Sequence, residues 1–240
     1  MARTRRRFAT GLIVLGVLLI AYAAAVLFWR DPITDLYARY QQHKLAAELE
    51  KAWPHYETGK LRADFRGNEA ARLAAVREQV AAAARDFQRG LREGKPMGRL
   101  VIRRMGLRVI FVHGTNWAHD LSKGPGHYER SSVPGLGKVT AIAGHRTTFG
   151  APFRHIDSLR QGDVIEAQLP YATFRYRVLG HRIVRSNDWS ILTPPGFDEL
   201  VLSACHPLYS ASHRWVVFAR LFEVTPSSGQ PYELAAGAAS

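Results

Sequence analysis

The sequence predicts a mainly β domain, either a closed barrel or a sandwich, that follows an N-terminal apolar helix and a helical stalk. Two observations predict this arrangement. Short runs rich in Val, Ile and Phe, separated by turn residues, occupy residues 97–225. Before them come one uncharged apolar run and two segments with helical spacing of apolar residues. Many short strands with only brief helical pieces between them are typical of barrels and sandwiches.

Residues 1–30 predict a basic cytoplasmic tip and a transmembrane anchor. The chain opens MARTRRR, with four arginines and no acid, and residues 8–29 carry no charge. A membrane span needs about 20 apolar residues, and the positive-inside bias keeps such an N-terminus in the cytoplasm. A cleaved signal peptide is the alternative, with Ala-Ala-Ala at residues 23–25 as a candidate cleavage site, but its apolar region usually has about 7–15 residues. In either case the rest of the chain lies outside the cytoplasm.

Residues 31–96 predict a helical stalk. Asp31 followed by Pro32 has the pattern of a helix N-cap with proline at the first helical position, and the helix should run up to Pro54. A second helix follows Asn68, because apolar residues recur there at helical spacing, at Leu73, Val76, Val80, Phe87 and Leu91. This second helix suits a spacer that packs on itself or on the folded domain.

Seven runs predict the strands of the β domain. Each is rich in Val, Ile, Phe or alternating residues and is bounded by Gly, Pro, Asn or Asp. The predicted strands are residues 99–102, 107–111, 139–143, 163–168, 173–183, 200–204 and 215–222. The tail, residues 226–240, has little apolar content and is predicted to be disordered.

The net charge of +13 suggests nucleic acid, but the pattern argues against it. The arginines are spread along the chain and form no block with interleaved aromatic residues. A membrane-tethered, exported domain rarely meets nucleic acid, so we expect no such partner. The charge instead indicates affinity for an anionic cell envelope, or an ordinary solvated surface.

Cys205 is the only cysteine in the chain. Outside the cytoplasm cysteines usually come in pairs, and a leftover one is an intermolecular bridge or a reactive thiol. A buried and inert cysteine is the remaining possibility. Because Cys205 follows the apolar run Leu200-Val-Leu, it should lie at the end of a strand, close to the surface.

His145 and Arg214 are the candidate partners of this thiol. A base or a cation favours the thiolate, which is the reacting species. His145 follows the predicted strand 139–143, so it lies at a strand end, as Cys205 does. Arg214 opens a strand that would form a hairpin with the Cys205 strand, where its guanidinium could favour the thiolate and donate to an oxyanion. The alternative for Arg214 is a surface arginine.

The remaining histidines carry weaker predictions. His206 should face away from Cys205, because neighbouring strand residues point to opposite sides. His113 and His127 are predicted to lie in loops. The chain has no CxxC, HxxxH, phosphate-loop or GxSxG pattern, so we expect neither a metal nor a cofactor.

Several segments resemble those of the sortase family. AIAGHRTTFGAPFRHIDSLRQGDVI is similar to the histidine segment of sortases, and LVLSACHP followed by SASHRWVVFARL is similar to their cysteine–arginine segment. Together with GPGHY, these runs are most similar to class E sortases of high-GC Gram-positive bacteria. The resemblance covers about residues 98–223, and the order His145, Cys205, Arg214 matches.

The resemblance implies an eight-stranded β-barrel with cysteine transpeptidase activity. Cys205 would attack the Thr–Gly bond of an LPxTG-like or LAxTG sorting signal in a surface protein. An amine of a lipid II-type peptidoglycan precursor would then resolve the thioester. His145 would be the general acid and base, Arg214 would hold the oxyanion or the substrate backbone, and Tyr128 of GPGHY would bind the second signal position.

Ala204 is a departure from the family pattern. Sortases usually read T-L-x-T-C, whereas this chain reads Val201-Leu-Ser-Ala-Cys205. Ala204 therefore replaces a threonine next to the nucleophile, at a candidate substrate-binding position. Since backbone N–H groups survive the change, we expect an altered rate and not a loss of activity. No cluster of acids near the signal groove supports a calcium site.

Two other functions compete with this prediction. One is a catalytically weak or inactive sortase-like scaffold, for which the Ala204 change is the only support. The other is an L,D-transpeptidase, another exported β-rich cysteine enzyme. In that family the cysteine follows Ser-x-Gly with a His-Gly pair close by, whereas here Ala204 precedes Cys205 and His113-Gly114 is remote.

Overall fold

A computed structural model describes residues 2–28, 31–56 and 68–234 of the chain. Three helices come first: α1 (Ala2–Phe28), α2 (Pro32–Ala52) and α3 (Glu69–Gly90). The predicted N-cap of α2 is confirmed, because the Asp31 side chain accepts hydrogen bonds from the N–H groups of Ile33 and Thr34. Trp29, at the end of the predicted span, lies outside the described residues.

Nine strands follow in the described part of the chain, and all seven predicted strands are among them. They are β1 (Pro96–Ile102), β2 (Leu107–His113), β3 (Gly126–His127), β4 (Val139–Gly144), β5 (Val164–Gln168), β6 (Ala172–Arg185), β7 (Glu199–His206), β8 (His213–Pro226) and β9 (Tyr232–Glu233). The two-residue strands β3 and β9 were not predicted, because two residues carry no periodic signal.

The strands form a closed barrel of eight. Their order is β6-β5-β1-β2-β3-β4-β7-β8, and β6 also pairs with β8, which joins the two ends of the sheet. The predicted eight-stranded barrel is therefore confirmed over the sandwich. The β2–β3 and β4–β7 pairs are parallel, and the β4–β7 pair determines where the candidate active site lies.

The tail differs in part from the prediction of disorder. β8 continues to Pro226, and Tyr232 and Glu233 pair with Val224 and Glu223 as β9. Tyr232 also packs against the barrel core, which supplies the apolar contact that a disordered tail would lack. Residues 235–240 lie outside the described residues.

The residues of β7 alternate between the barrel core and the outer face of the sheet. Leu200, Leu202 and Ala204 belong to the barrel core. Val201 belongs to a second, outer cluster, which we define by its buried members Val139, Ala141, Val184, Ile191, Val201 and Val216. Tyr128, Leu192 and Phe218 pack against this outer cluster. These three residues are partly exposed and cover the cluster with an apolar surface on the face of β7 that carries Val201.

Helix α3 packs on the barrel. Val80, Ala84 and Phe87 are buried in the same core as the barrel strands. The helical spacing that predicted α3 therefore marks its packing face. Of the two alternatives for this helix, packing on the folded domain is the one observed.

Helix α2 also docks on the barrel. Leu45 and Leu49 pack with Ile110 and Val112 of β2. The Gln42 side-chain carbonyl accepts from the Ile110 N–H at 2.8 Å, and its amide nitrogen donates to the Ile110 carbonyl at 2.9 Å. These contacts fix α2 against one side of the barrel.

Helix α1 is suited to a membrane by length and composition. Of the described residues, only Arg5–Ala25 form a helix long and apolar enough to span a bilayer, with a mean hydropathy of 2.3. None of this segment is buried against the rest of the protein. The helix is compatible with a single-pass anchor, and a signal sequence would have the same properties.

Candidate active site

Cys205 and Arg214 lie directly opposite each other in the antiparallel pair of β7 and β8. Opposed residues of such a pair have their side chains on the same face of the sheet. By alternation that face is the one that carries Val201 and Ser203 and the outer cluster. The hairpin predicted from the sequence is therefore present, and it places Arg214 opposite Cys205 in the strand pair.

His145 reaches the same place through the parallel pair of β4 and β7. Gly144, the last residue of β4, pairs with Ala204, so the next residues along the two chains are His145 and Cys205. Both strands thus deliver a candidate catalytic side chain to one end of the pair. The strand register thus brings the backbone positions of His145, Cys205 and Arg214 to one end of the sheet.

The His145 imidazole is partly buried. Its ring centroid lies 5.3 Å from that of Phe149. Its Nε2 atom is buried and has no hydrogen-bond partner among the described residues. Burial lowers the pKa of His145 from the ordinary value of 6.5, because desolvation disfavours the charged ring. Burial thus favours the neutral imidazole, the form that can accept a proton.

The Arg214 guanidinium is held by the loop between β7 and β8. Its Nη1 donates to the carbonyls of Ala211 at 2.9 Å and His213 at 3.0 Å. An arginine has five N–H donors, so these bonds leave others that can face a substrate on the outer side of the sheet. The loop therefore orients the cation without using all its donors.

Arg146 is a charged residue of the site that the sequence analysis did not single out. It is only 3% exposed. Its Nη2 donates to Asp157 at 2.7 Å and its Nη1 to the Cys205 carbonyl at 3.5 Å, while Nε and Nη2 donate to the Arg154 carbonyl. The sequence feature that could have pointed to Arg146 is its position directly after His145, at the end of a predicted strand. Arg146 links the backbone that carries His145 to the backbone that carries Cys205.

Tyr128 lies on the outer face, near the candidate catalytic residues. Its hydroxyl donates to Ser203 Oγ at 3.3 Å, and Ser203 is two residues before Cys205 on the same face of β7. Its ring meets that of Trp189 edge-on at a centroid distance of 6.2 Å. Tyr128 thus forms one side of the apolar surface next to Cys205.

Ala204 and His206 lie on the other face of β7. Ala204 is 2% exposed and belongs to the barrel core, so its methyl group points away from the Cys205 side chain. The His206 ring packs near that of Trp215, the residue opposite Ala204, at 5.4 Å. The prediction that His206 faces away from Cys205 is confirmed.

The loop prediction for His113 and His127 is wrong. His113 ends β2 and His127 belongs to β3, and their Nδ1 atoms lie 3.2 Å apart. His127 is buried, and its Nε2 contacts Ser131 Oγ at 3.0 Å and the Ser132 carbonyl at 2.9 Å. Burial lowers the pKa of His127 to about 4. The prediction failed because β3 has only two residues and leaves no periodic pattern in the sequence,.

No metal-binding cluster is found in the described ranges. Nowhere in them do three or more His, Cys, Asp or Glu side chains come together in a way that could hold a metal ion.

Comparison with known families shows which protein family the chain belongs to. The Sortase domain family matches residues 100–222, just over half of the chain. The chain belongs to the sortase family. Sortases are cysteine transpeptidases, and the matched range contains His145, Cys205 and Arg214.

This sortase is similar to members of more than one class. It is 33% identical over 131 residues to sortase D of Bacillus subtilis, a match that covers 53% of this chain and 64% of that relative. Among solved structures, it is similar to the SrtA sortase from Actinomyces oris, with a TM-score of 0.54, 26% identity and coverage of 60% of this chain and 90% of that one.

A class E structure is equally similar in fold. Sortase E1 from Streptomyces coelicolor, solved with a tripeptide in the active site, has a TM-score of 0.54 and 25% identity. The match covers 56% of this chain and 93% of that one. The barrel of this sortase therefore matches nearly the whole length of these solved domains, while about two fifths of its own chain lies outside them.

Proposed function

We propose that this sortase cleaves a C-terminal LAxTG or LPxTG-like sorting signal between Thr and Gly and transfers the protein to an amine. The observation that carries the proposal is the register of three strands, which puts Cys205 opposite Arg214 and level with His145. A thiol, a base and a cation at one strand end are the groups that acyl transfer through a thioester requires.

The first half of the reaction makes the thioester. Cys205 gives its proton to His145 and its sulfur attacks the carbonyl carbon of the signal's Thr. Arg214 donates hydrogen bonds to the oxygen that becomes negative. The Thr–Gly C–N bond breaks, and His145 gives a proton to the departing Gly amine. The products of this half are a Cys205 thioester and a released C-terminal peptide.

The second half consumes the thioester. An incoming amine attacks the thioester carbonyl while neutral His145 accepts the proton that the amine loses. The C–S bond breaks and Cys205 leaves as a thiol. The lowered pKa of His145 supports this step, because the base must be uncharged when the amine arrives.

The substrate groove is proposed to run along the outer cluster. Tyr128 flanks this apolar surface and would contact the second residue of the signal, which is Ala in LAxTG and Pro in LPxTG. The resemblance of the GPGHY and AIAGHRTTFGAPF segments to class E sortases is the basis for proposing LAxTG, and the chain is also similar to sortase E1. Because the methyl group of Ala204 lies in the barrel core, its replacement of Thr would act through packing beneath Cys205.

We also propose that α1 anchors the enzyme in the membrane, with the N-terminus in the cytoplasm and the barrel outside. The apolar span Arg5–Ala25 and the arginines at its start support this orientation,. The acceptor would then be the amine of a lipid II-type peptidoglycan precursor, presented at the same membrane surface. The substrates would be surface proteins that carry a sorting signal.

The test uses the full chain in detergent with LAxTG and LPxTG fluorogenic peptides and a small amine. We expect Thr–Gly cleavage and a transfer product by mass spectrometry, with a loss of both in Cys205→Ala and His145→Ala. An exposed change away from the site, Arg72→Ala in α3, is the matched control and should retain activity. A folded, thiol-reactive protein that turns over neither peptide would contradict the proposal and favour the inactive scaffold.

A further inference from the structure

Helix α2 carries an apolar face that the rest of the described protein leaves largely exposed. We propose that the first two turns of α2 lie in the membrane interface, so that the loop carrying His145 is held at the bilayer surface. The inference rests on the proposed anchoring by α1 and goes beyond it, because an anchor alone does not fix how the barrel sits on the membrane.

The exposed apolar residues of α2 form one stripe. With about 100° per residue around a helix, they fall within a single arc; they are Ile33, Leu36, Tyr37 and Tyr40, with exposures of 67%, 72%, 42% and 62%. The arc on the opposite side of the helix contacts the barrel through Ala38, Gln42, Leu45 and Leu49. Helix α2 therefore packs on the barrel with one face and leaves the apolar stripe on the other face exposed, apart from the contact of Tyr37 with Phe149.

A contact between α1 and the start of α2 places this stripe beside the end of the membrane span. The Tyr22 hydroxyl, within the apolar span, donates to the Asp31 carboxylate at 3.1 Å. Asp31 is also the N-cap of α2. The first turn of α2 thus begins next to the last turns of α1, where the bilayer interface lies if α1 spans the membrane.

The stripe changes from apolar to polar along the helix. The same exposed arc continues after Tyr40 as His43, Lys44, Ala47 and Lys51. The apolar part, from Ile33 to Tyr40, is about 10 Å long at 1.5 Å per residue. Interfacial helices bury an apolar face in the headgroup boundary and keep polar residues in water, and Tyr is favoured there. A lipid surface therefore fits the stripe better than a protein groove, which would extend farther along the helix.

The same two turns hold the loop between β4 and β5 that begins with His145. Thr34 Oγ accepts the Phe149 N–H at 3.0 Å, and the Tyr37 ring lies 6.2 Å from that of Phe149. Phe149 in turn packs against His145. Membrane contact by α2 would therefore bring His145 close to the surface where a lipid-linked amine arrives.

The test places one fluorophore on the stripe in full-length protein reconstituted in vesicles. Because Cys205 is the only cysteine, Cys205→Ala provides a thiol-free background for Leu36→Cys and, separately, Tyr40→Cys. Ala47→Cys, on the same exposed arc but about 16 Å beyond Leu36 along the helix, is the matched control. Each variant is labelled with an environment-sensitive dye and tested with lipids that carry a nitroxide at the headgroup–acyl boundary.

We expect the dyes at positions 36 and 40 to emit at shorter wavelength and to be quenched several-fold more by the nitroxide lipids than the dye at 47. Equal quenching at all three positions in protein that floats with the vesicles would overturn the inference but leave the anchor intact. Protein that does not float would contradict the anchor as well. A shift at 36 and 40 without lipid quenching would indicate a second copy of the chain on the stripe and would also overturn the inference. Peptide cleavage by the unmodified enzyme is measured separately, so failure of the proposed activity remains distinguishable.

Discussion

Cys205 lies opposite Arg214 in the β7–β8 pair, and the cation is held by the backbone carbonyls of Ala211, in the connecting loop, and His213, the first residue of β8. The guanidinium therefore has its position before a substrate arrives. A preorganised donor costs little reorganisation when charge develops on a carbonyl oxygen, which is the condition for effective oxyanion stabilisation.

Replacing Arg214 should reduce turnover more than substrate binding. Arg214→Ala removes the donors and is expected to lower kcat by roughly 10²–10³-fold, the range for loss of an oxyanion donor. Arg214→Lys keeps the charge but loses the planar fork, so an intermediate rate is expected. Steady-state kinetics with the preferred peptide measures both. A rise in KM with kcat unchanged would instead assign Arg214 to ground-state binding.

Arg146 is expected to position the catalytic residues without touching the substrate. In Arg146→Gln the link from the His145 loop to the Cys205 carbonyl is lost, and kcat should fall by about 10–100-fold with little change in KM, because small displacements of reacting groups are costly. Asp157→Ala leaves the buried guanidinium without its carboxylate, so we expect it to lower the melting temperature more than Arg146→Gln does. Full activity in a folded Arg146→Gln protein would show that the link is not needed.

Two substitutions of Tyr128 separate the contribution of its ring to substrate binding from that of its hydroxyl. Tyr128→Phe removes only a long hydrogen bond to Ser203 and should lower kcat/KM by about two- to fivefold, since a neutral hydrogen bond contributes about 0.5–1 kcal/mol. Tyr128→Ala removes the ring that flanks the outer cluster and should raise KM by roughly tenfold or more, as loss of an apolar pocket wall does. Equal values for the two variants would place Tyr128 outside the groove.

His127 should make the barrel less stable in acid. Its folded pKa of about 4 lies below the ordinary 6.5, so the unfolded chain binds its proton first as the pH falls. The stabilisation is present above pH 6.5 and is lost between about 6.5 and 4, by on the order of 3 kcal/mol at 1.36 kcal/mol per pKa unit.

The comparison of parent and His127→Gln protein isolates this effect from other titrating groups. Denaturant unfolding at several pH values should give a stability difference between the two proteins that shrinks as the pH falls from 6.5 to 4. A difference that stays constant with pH would show that His127 is not the group responsible. Because His127 directly precedes Tyr128 in the chain, protonation of His127 is expected to destabilise the strand that positions Tyr128.

Much of the fold could be predicted from the sequence because its strands are periodic. β6 and β8 have 14 residues each, and their length and alternating pattern make them easy to predict. β3 has two residues and could not be found, although its pairing with β2 and β4 holds His113 against His127. For α3, the apolar stripe predicted that one face of the helix packs, but it did not identify the barrel as the surface on which it packs.

The candidate site was predictable where it depends on local connections. A hairpin between β7 and β8 follows from the sequence, and with it the approach of Arg214 to Cys205. The placement of His145 depends on the parallel pairing of β4 with β7, which is set by the closure of the whole barrel. Arg146 was missed for the same reason, because its partners Asp157 and Cys205 lie far apart in the chain and meet only in the folded barrel.

The most direct test of the account is the intact mass of the enzyme during turnover. The full chain is mixed with an excess of signal peptide without an added amine, quenched in acid within the first turnovers and weighed. We predict an added mass equal to the peptide up to its Thr, attached to Cys205 and absent in Cys205→Ala. Cleavage between Thr and Gly in the parent, with no such adduct and with activity retained in Cys205→Ala, would contradict a thioester mechanism at this residue.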